Sequence, residues 1–116
     1  MANSVIFIGW TRASVGREQQ AMKLWQDSAE YYEKLKADGK IEDYDLVLLE
    51  HHGGDLNGFA LLKGDRKKLA EVRREATFMD NAVQAGYCLD GVGIIRGFTG
   101  DGLVDVMGRW SKVIGT

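Results

Sequence analysis

The chain has 116 residues, enough for one domain that buries roughly 65% of the surface its unfolded form would expose. Its 15 basic and 17 acidic residues are interspersed and give a net charge of −2, which argues against a surface for nucleic acid or anionic membranes. The single cysteine, Cys88, excludes an intrachain disulfide and metal sites built from cysteine pairs. No secretory signal or membrane-spanning stretch is recognisable, so we expect a single domain over residues 1–116 in the cytoplasm.

The first predicted strand covers about residues 4–12, and an amphipathic helix follows it to about Asp38. Ser14 is the expected N-cap of this helix, and Gly39 is its expected left-handed stop. Apolar residues recur in the helix at spacings of three and four: Met22, Trp25, Ala29, Tyr32 and Leu35. This stripe predicts the face that packs on a sheet.

A hairpin of two strands is predicted next, over about residues 41–52 and 59–63, joined by a segment rich in Gly and Asn. The second helix is expected to start after a capping Asp65 and to end at Gly86. Its apolar stripe is Leu69, Val72, Ala76, Met79 and Val83. A fourth strand is expected over about residues 87–98. A third helix then carries Leu103, Val106, Met107, Trp110 and Ile114.

This β-α-β-β-α-β order with a terminal helix predicts an α+β, ferredoxin-like antiparallel sheet with two helices on one face. The strand cores carry no polar side chain, although an antiparallel sheet with one wet face should alternate apolar and polar residues. These cores are residues 5–8, 46–49, 59–62 and 92–95. Because two helices cover only one face, we expect a second copy of the chain to cover the other face in a homodimer.

The sharpest polar cluster of the sequence follows the second predicted strand. If that strand continues through them, Glu50 and His52 share a face, and the carboxylate can orient the imidazole as a general base. His51 then points to the opposite face and is a candidate ligand contact. Two adjacent histidines are a poor ligand set, so no metal site is predicted. The alternative is that these residues end the strand and satisfy backbone groups of the hairpin.

Four further residues are candidates for substrate binding. Trp10 offers a flat apolar surface and Arg12 a forked cation, so together they would hold an aromatic or carboxylated molecule. Alternatively, Trp10 lies in a dimer core and Arg12 pairs with an acidic neighbour such as Glu18. Arg96 needs a partner or an anionic ligand if it points inward, or it reaches water from the strand end. Tyr32 either shows its hydroxyl to a cavity or belongs to the core.

Three stretches resemble an uncharacterised bacterial family within the dimeric α/β barrel superfamily. They are Gly-Arg-Glu at 16–18, Glu-His-His-Gly-Gly-Asp-Leu-Asn-Gly-Phe at 50–59 and Gly-Asp-Arg-Lys-Lys-Leu at 64–69. The resemblance implies a face-to-face dimer with a cleft between sheet and helices. It implies no single reaction, because the superfamily includes cofactor-free monooxygenases, isomerases and haem-active enzymes.

The function predicted from the sequence is therefore a homodimeric protein that binds a small molecule in this cleft, without a cofactor. The alternative is a cofactor-free monooxygenase or isomerase that acts on an aromatic or carbonyl compound. In that enzyme Glu50 and His52 would form the acid–base pair, and Trp10, Arg12 and Arg96 would place the substrate.

Overall fold

The computed structural model describes residues 2–115. Its elements follow the chain in this order: β1 (Ser4–Trp10), β2 (Arg12–Ala13), α1 (Glu18–Ala37), β3 (Asp43–Leu48), β4 (Gly58–Gly64), α2 (Arg66–Val72), α3 (Ala76–Cys88), β5 (Leu89–Asp90), β6 (Gly93–Phe98) and α4 (Gly100–Ile114). Four strands form an antiparallel sheet in the order β3-β4-β1-β6, and β2 pairs with β5 in a separate two-stranded ribbon. This is the split arrangement that the sequence predicts.

The core lies between the sheet and the helices. Ile6 of β1 pairs with Leu62 of β4, and both side chains are fully buried. Tyr32 and Leu35 of α1 cover them, as the apolar stripe of this helix predicts. Cys88 is also buried, as expected for a small hydrophobe.

The helix termini agree only partly with the prediction. Gly39 has a φ of +73° after α1, and the Asp65 carboxylate accepts hydrogen bonds from the backbone N–H groups of Lys67 and Lys68, so both predicted signals are confirmed. The predicted N-cap Ser14 is wrong. Helix α1 starts only at Glu18, and the Ser14 hydroxyl donates to Asp90 at 2.7 Å instead.

The predicted second helix is two helices, separated at residues 73–75. Glu75 has an extended backbone, with a ψ of 141°, and its carboxylate accepts hydrogen bonds from Tyr31 at 2.7 Å and Lys40 at 2.9 Å. The break resets the helical phase, so the stripe predicted through Met79 and Val83 is wrong for α3. These side chains are 56% and 75% exposed, and a different face of α3 is turned inward.

Two predicted strands are too long. Strand β3 ends at Leu48, and residues 49–57 form a loop that the backbone hydrogen bond from Leu49 to Asn57 closes at 2.9 Å. The fourth predicted strand, 87–98, is two strands: α3 continues past Gly86 to Cys88, β5 takes Leu89–Asp90, and β6 begins at Gly93 after a turn at Gly91.

Within residues 2–115, no helix lies over the second face of the sheet. The rings of Phe7 and Phe59 stack there with centroids 5.2 Å apart, and both residues are partly exposed. Helix α4, the predicted third helix, has no buried residue. The radius of gyration is accordingly 15.7 Å, against about 13 Å for a compact domain of this length. Within residues 2–115, no helix is long and apolar enough to cross a membrane.

Candidate functional site

A cavity of about 380 Å³ lies between the helix-facing side of the sheet and helices α1 and α3. Its volume falls within the range of small-molecule sites. Its walls are mainly apolar and come from the following residues: Ile8, Trp10, Ala13, Glu18, Ala21, Met22, Leu24, Trp25, Ser28, Tyr32, Leu46, Leu48, Ala60, Phe78, Asn81, Ala82, Ala85, Leu89 and Ile94. This is the cleft between sheet and helices that the resemblance implies.

The exposure of the lining residues distinguishes a floor from a mouth. Tyr32 of α1, Ala60 of β4 and Phe78 of α3 are buried and form the floor. Met22 and Leu48 are 60% and 68% exposed although they line the same cavity. The cavity therefore opens where α1 begins and β3 ends.

Two tryptophans form the aromatic part of the wall. Trp10 ends β1 and Trp25 lies on α1, and their rings meet edge to face with centroids 5.7 Å apart and an interplanar angle of 82°. Gly58 of β4 leaves room for the Trp10 ring, because a Cβ atom on Gly58 would lie 2.6 Å from Trp10 Cζ2. Gly58 of β4 thus positions the Trp10 ring of the neighbouring strand β1.

Few polar groups reach the cavity. Burial raises the pKa of Tyr32 to about 12, and a hydrogen bond with Ser28 partly offsets this rise. At neutral pH Tyr32 is therefore a neutral phenol that can donate a hydrogen bond but cannot act as a base. Glu18 and Asn81 also line the cavity, and neither side chain has a hydrogen-bond or ion-pair partner within residues 2–115. Both groups are free to contact a ligand.

Arg12, a predicted ligand contact, lies outside this lining. Its guanidinium pairs with Asp90 at 3.2 Å, and the Ser14 hydroxyl donates to the same carboxylate. The hydrogen bond from Ser14, followed by that from Arg12, holds the pKa of Asp90 below its ordinary value. The acidic partner suggested by the sequence, Glu18, is wrong. Because Ala13 and Leu89 on the same ribbon line the cavity, the Arg12–Asp90 pair fastens part of its wall.

The predicted acid–base cluster lies in the loop after β3, where Glu50, His51 and His52 are all exposed and outside the cavity lining. The strand geometry that was to put Glu50 and His52 on one face does not hold, because the strand has already ended. The Gly54 N–H donates to His52 Nδ1 at 3.2 Å, so Nε2 carries the proton and donates to Leu56 O at 2.6 Å. Both ring nitrogens thus organise the loop. The catalytic roles of Glu50 and His52 stay predictions.

Arg96 is exposed on the edge strand β6, opposite Ile6, and also lies outside the lining. Of the predicted site residues, the structure therefore brings together only Trp10 and Tyr32. Trp10 lies on the helix-facing side and contributes to the cavity, so it is not in a dimer core between sheets.

Sequence reasoning missed several lining residues on α3. Asn81 follows Phe78 by three residues and precedes Ala85 by four, so all three share one helix face. The spacing of these residues indicates the inward face only when the helix is taken to begin after Glu75. Trp25 was found as part of the α1 stripe and interpreted as core.

Comparison with known proteins gives a fold and no family. No protein-family model matches the chain, and no curated protein sequence matches it. A crystal structure from Pseudomonas aeruginosa has a TM-score of 0.61 at 14% identity and covers 85% of this chain and 95% of its own.

Two other solved structures are similar. One is a dimeric protein of unknown function and ferredoxin-like fold from Bacteroides fragilis, with a TM-score of 0.57, 12% identity and coverage of 83% of this chain and 96% of its own. The other is SnoaB, a cofactor-independent oxygenase from Streptomyces nogalater, with a TM-score of 0.52, 13% identity and coverage of 85% and 93%. Likeness at such low identity concerns the fold alone. The predicted architecture is confirmed: this chain has the ferredoxin-like fold.

Proposed function

We propose that this protein is a homodimer that binds a small aromatic molecule in the cavity between its sheet and helices α1 and α3. The observation that carries this proposal is the composition of the wall. Trp10, Trp25, Tyr32 and Phe78 surround about 380 Å³ with few polar groups. Aromatic rings pack favourably against such walls, edge to face or offset, beyond the gain from buried area alone. The unpaired Asn81 amide provides a polar contact that can orient the ligand.

Binding can be tested with N-phenyl-1-naphthylamine, an uncharged aromatic probe whose fluorescence rises in apolar surroundings. In the variant Ala82→Leu, the larger side chain enters the cavity from α3. We expect it to weaken probe binding by about fivefold or more, because ligand and side chain compete for the same space. The neighbouring variant Val83→Leu is the matched control, since Val83 is exposed and outside the lining. Equal affinities in the two variants would contradict the proposal.

The homodimer is supported by the uncovered face of the sheet. Phe7 and Phe59 stack at its centre, and an ion pair between Asp45 and Lys63, 2.9 Å apart, lies near its rim. An apolar centre with a charged rim is typical of an interface between subunits. A second copy of the chain offers a matching surface, because a two-fold contact joins the same patch on both subunits. The dimeric Bacteroides fragilis protein with the same fold supports this choice.

Light scattering on the purified protein tests the dimer. Phe59→Asp would place two carboxylates in an apolar contact, and we expect the mass to fall from that of two chains to that of one. Val83→Asp makes a similar change on the helix side, and the mass should stay that of two chains. A wild-type protein that is monomeric at micromolar concentration would refute the assembly.

A second candidate is a cofactor-free monooxygenase or isomerase that acts on an aromatic or carbonyl compound. SnoaB, which shares the fold, supports it, as does the unpaired carboxylate of Glu18 at the cavity. Because Glu50 and His52 lie outside the lining, Glu18 is the better candidate for a base in this structure. Oxygen uptake or isomerisation by a bound hydroxylated aromatic compound, abolished in Glu18→Gln, is the expected result. A ligand that binds but is never converted would leave only the binding function.

A further inference from the structure

We propose that the aromatic ligand carries an amine rather than a carboxylate, with the amine at the cavity mouth beside Glu18. This inference rests on the proposed binding function. Among the lining residues in the described chain, Glu18 is the single charged side chain, and it is exposed near the mouth. A cationic group placed there meets an unpaired carboxylate, whereas an anionic group meets like charge and no cation.

Two arginines close to Glu18 in sequence, Arg12 and Arg17, have partners outside the cavity. Arg12 pairs with Asp90, and Arg17 lies over the Tyr87 ring at 4.1 Å and donates to the Tyr87 carbonyl at 3.2 Å. Neither guanidinium is part of the cavity lining. The start of α1 contributes a partial positive charge of about half a unit, which the full charge of the Glu18 carboxylate exceeds. The one full charge in the described lining is therefore negative.

The position of Glu18 relative to the aromatic wall sets the shape of the ligand. Glu18, Met22 and Trp25 are separated by four and three residues, so they share one face of α1. Glu18 and Trp25 are about 10 Å apart along the helix axis. A ring against Trp25 and Trp10 can thus extend a short alkyl amine towards the carboxylate. An ammonium that lies over an indole face also gains a cation–π attraction.

The floor of the cavity is uncharged, which fixes the direction of the ligand. Ala60 and Phe78 are apolar, and Tyr32 keeps its proton at neutral pH. An ammonium or carboxylate at the floor would lose its hydration without an ionic partner. The charged end of the ligand therefore faces the mouth and the ring system faces the floor.

Three indoles that differ mainly in charge test this inference: tryptamine, 3-methylindole and indole-3-propionate. Each is titrated at pH 7 and low salt against protein loaded with N-phenyl-1-naphthylamine, and its affinity is read from the loss of probe fluorescence. We expect tryptamine to bind about three- to tenfold more tightly than indole-3-propionate, as an exposed carboxylate allows. Glu18→Gln should remove this preference and Glu18→Lys should reverse it.

Glu30→Gln is the matched control, because it makes the same change of charge on α1 outside the cavity lining. An unchanged preference in Glu30→Gln together with its loss in Glu18→Gln would support the amine. An equal preference in both variants, or tighter binding of indole-3-propionate by the wild type, would overturn it. Failure of the binding function itself would give a different result from failure of the amine preference. The probe would not bind, or Ala82→Leu would bind it as well as Val83→Leu does.

Discussion

Replacing Gly58 by alanine should damage the cavity from a position that is not among its lining residues. Gly58 lies on β4 opposite Trp10 of β1. An alanine Cβ would lie 2.6 Å from Trp10 Cζ2, whereas ordinary contacts between carbon atoms begin near 3.4 Å. The rigid indole must therefore move by about 0.8 Å or more. Trp25 meets the Trp10 ring edge to face and both rings line the cavity, so we expect the displaced indole to move into the cavity.

Two terms of opposite sign decide the stability of Gly58→Ala. Crowding a packed ring costs roughly 1–3 kcal/mol. The lower entropy of alanine in the unfolded chain returns about 0.4–1 kcal/mol. We expect the free energy of unfolding to fall by about 1–2 kcal/mol. Affinity for N-phenyl-1-naphthylamine should fall by about fivefold, because the displaced indole occupies ligand space.

Urea unfolding and probe titration measure both effects on the same sample. Gly86→Ala is the matched control, because Gly86 lies within α3 with nothing within 4 Å of an added Cβ. In a helix this change should raise stability by up to about 1 kcal/mol and leave probe binding unchanged. If Gly58→Ala keeps both the stability and the affinity of the wild type, Gly58 does not position Trp10 and the reasoning fails.

Three further outcomes follow from two hydrogen bonds and from the burial of Tyr32. Tyr31→Phe removes the donor to Glu75 and should lower the free energy of unfolding in urea by about 1 kcal/mol; an unchanged value would contradict a structural role. The hydrogen bond from Ser14 lowers the pKa of Asp90, so the stability it adds is present at neutral pH and is lost as the pH falls below about 4. The stability gap between wild type and Asp90→Asn, measured by urea unfolding, should therefore shrink from pH 7 to pH 3; a constant gap would argue against it. Burial raises the pKa of Tyr32 to about 12, so above pH 10 the unfolded chain loses this phenol proton before the folded chain does, and unfolding is favoured; alkali should therefore destabilise the wild type more steeply than Tyr32→Phe in thermal unfolding, and parallel curves would contradict this.

The fold could be predicted from the sequence because its signals are local and repeated. The order of strands and helices, the cap at Asp65 and the stop at Gly39 each depend on a few neighbouring residues. The inward face of α1 was equally readable where Tyr32 and Leu35 are buried, because one unbroken helix keeps one phase over twenty residues.

The site was less predictable because it depends on where elements end. Alternation along a strand puts Glu50 and His52 on one face only while the strand lasts, and nothing in the apolar pattern marks its end at Leu48. Arg12 was assigned to a ligand because its partner Asp90 is 78 residues away in the chain. Distance in sequence hides such an ion pair. Trp10 and Tyr32, in contrast, belong to or adjoin predicted apolar segments, and both line the cavity.

The break at Glu75 connects the fold with the candidate site. An unbroken helix would have turned Met79 and Val83 towards the sheet, but the contacts of the Glu75 carboxylate with Tyr31 and Lys40 hold the chain extended just before α3. The new phase brings smaller and more polar residues to the inner wall: Asn81, Ala82 and Ala85. Two alanines fill less space than a methionine and a valine. A bond network that contacts no ligand thus leaves the space between sheet and helices open.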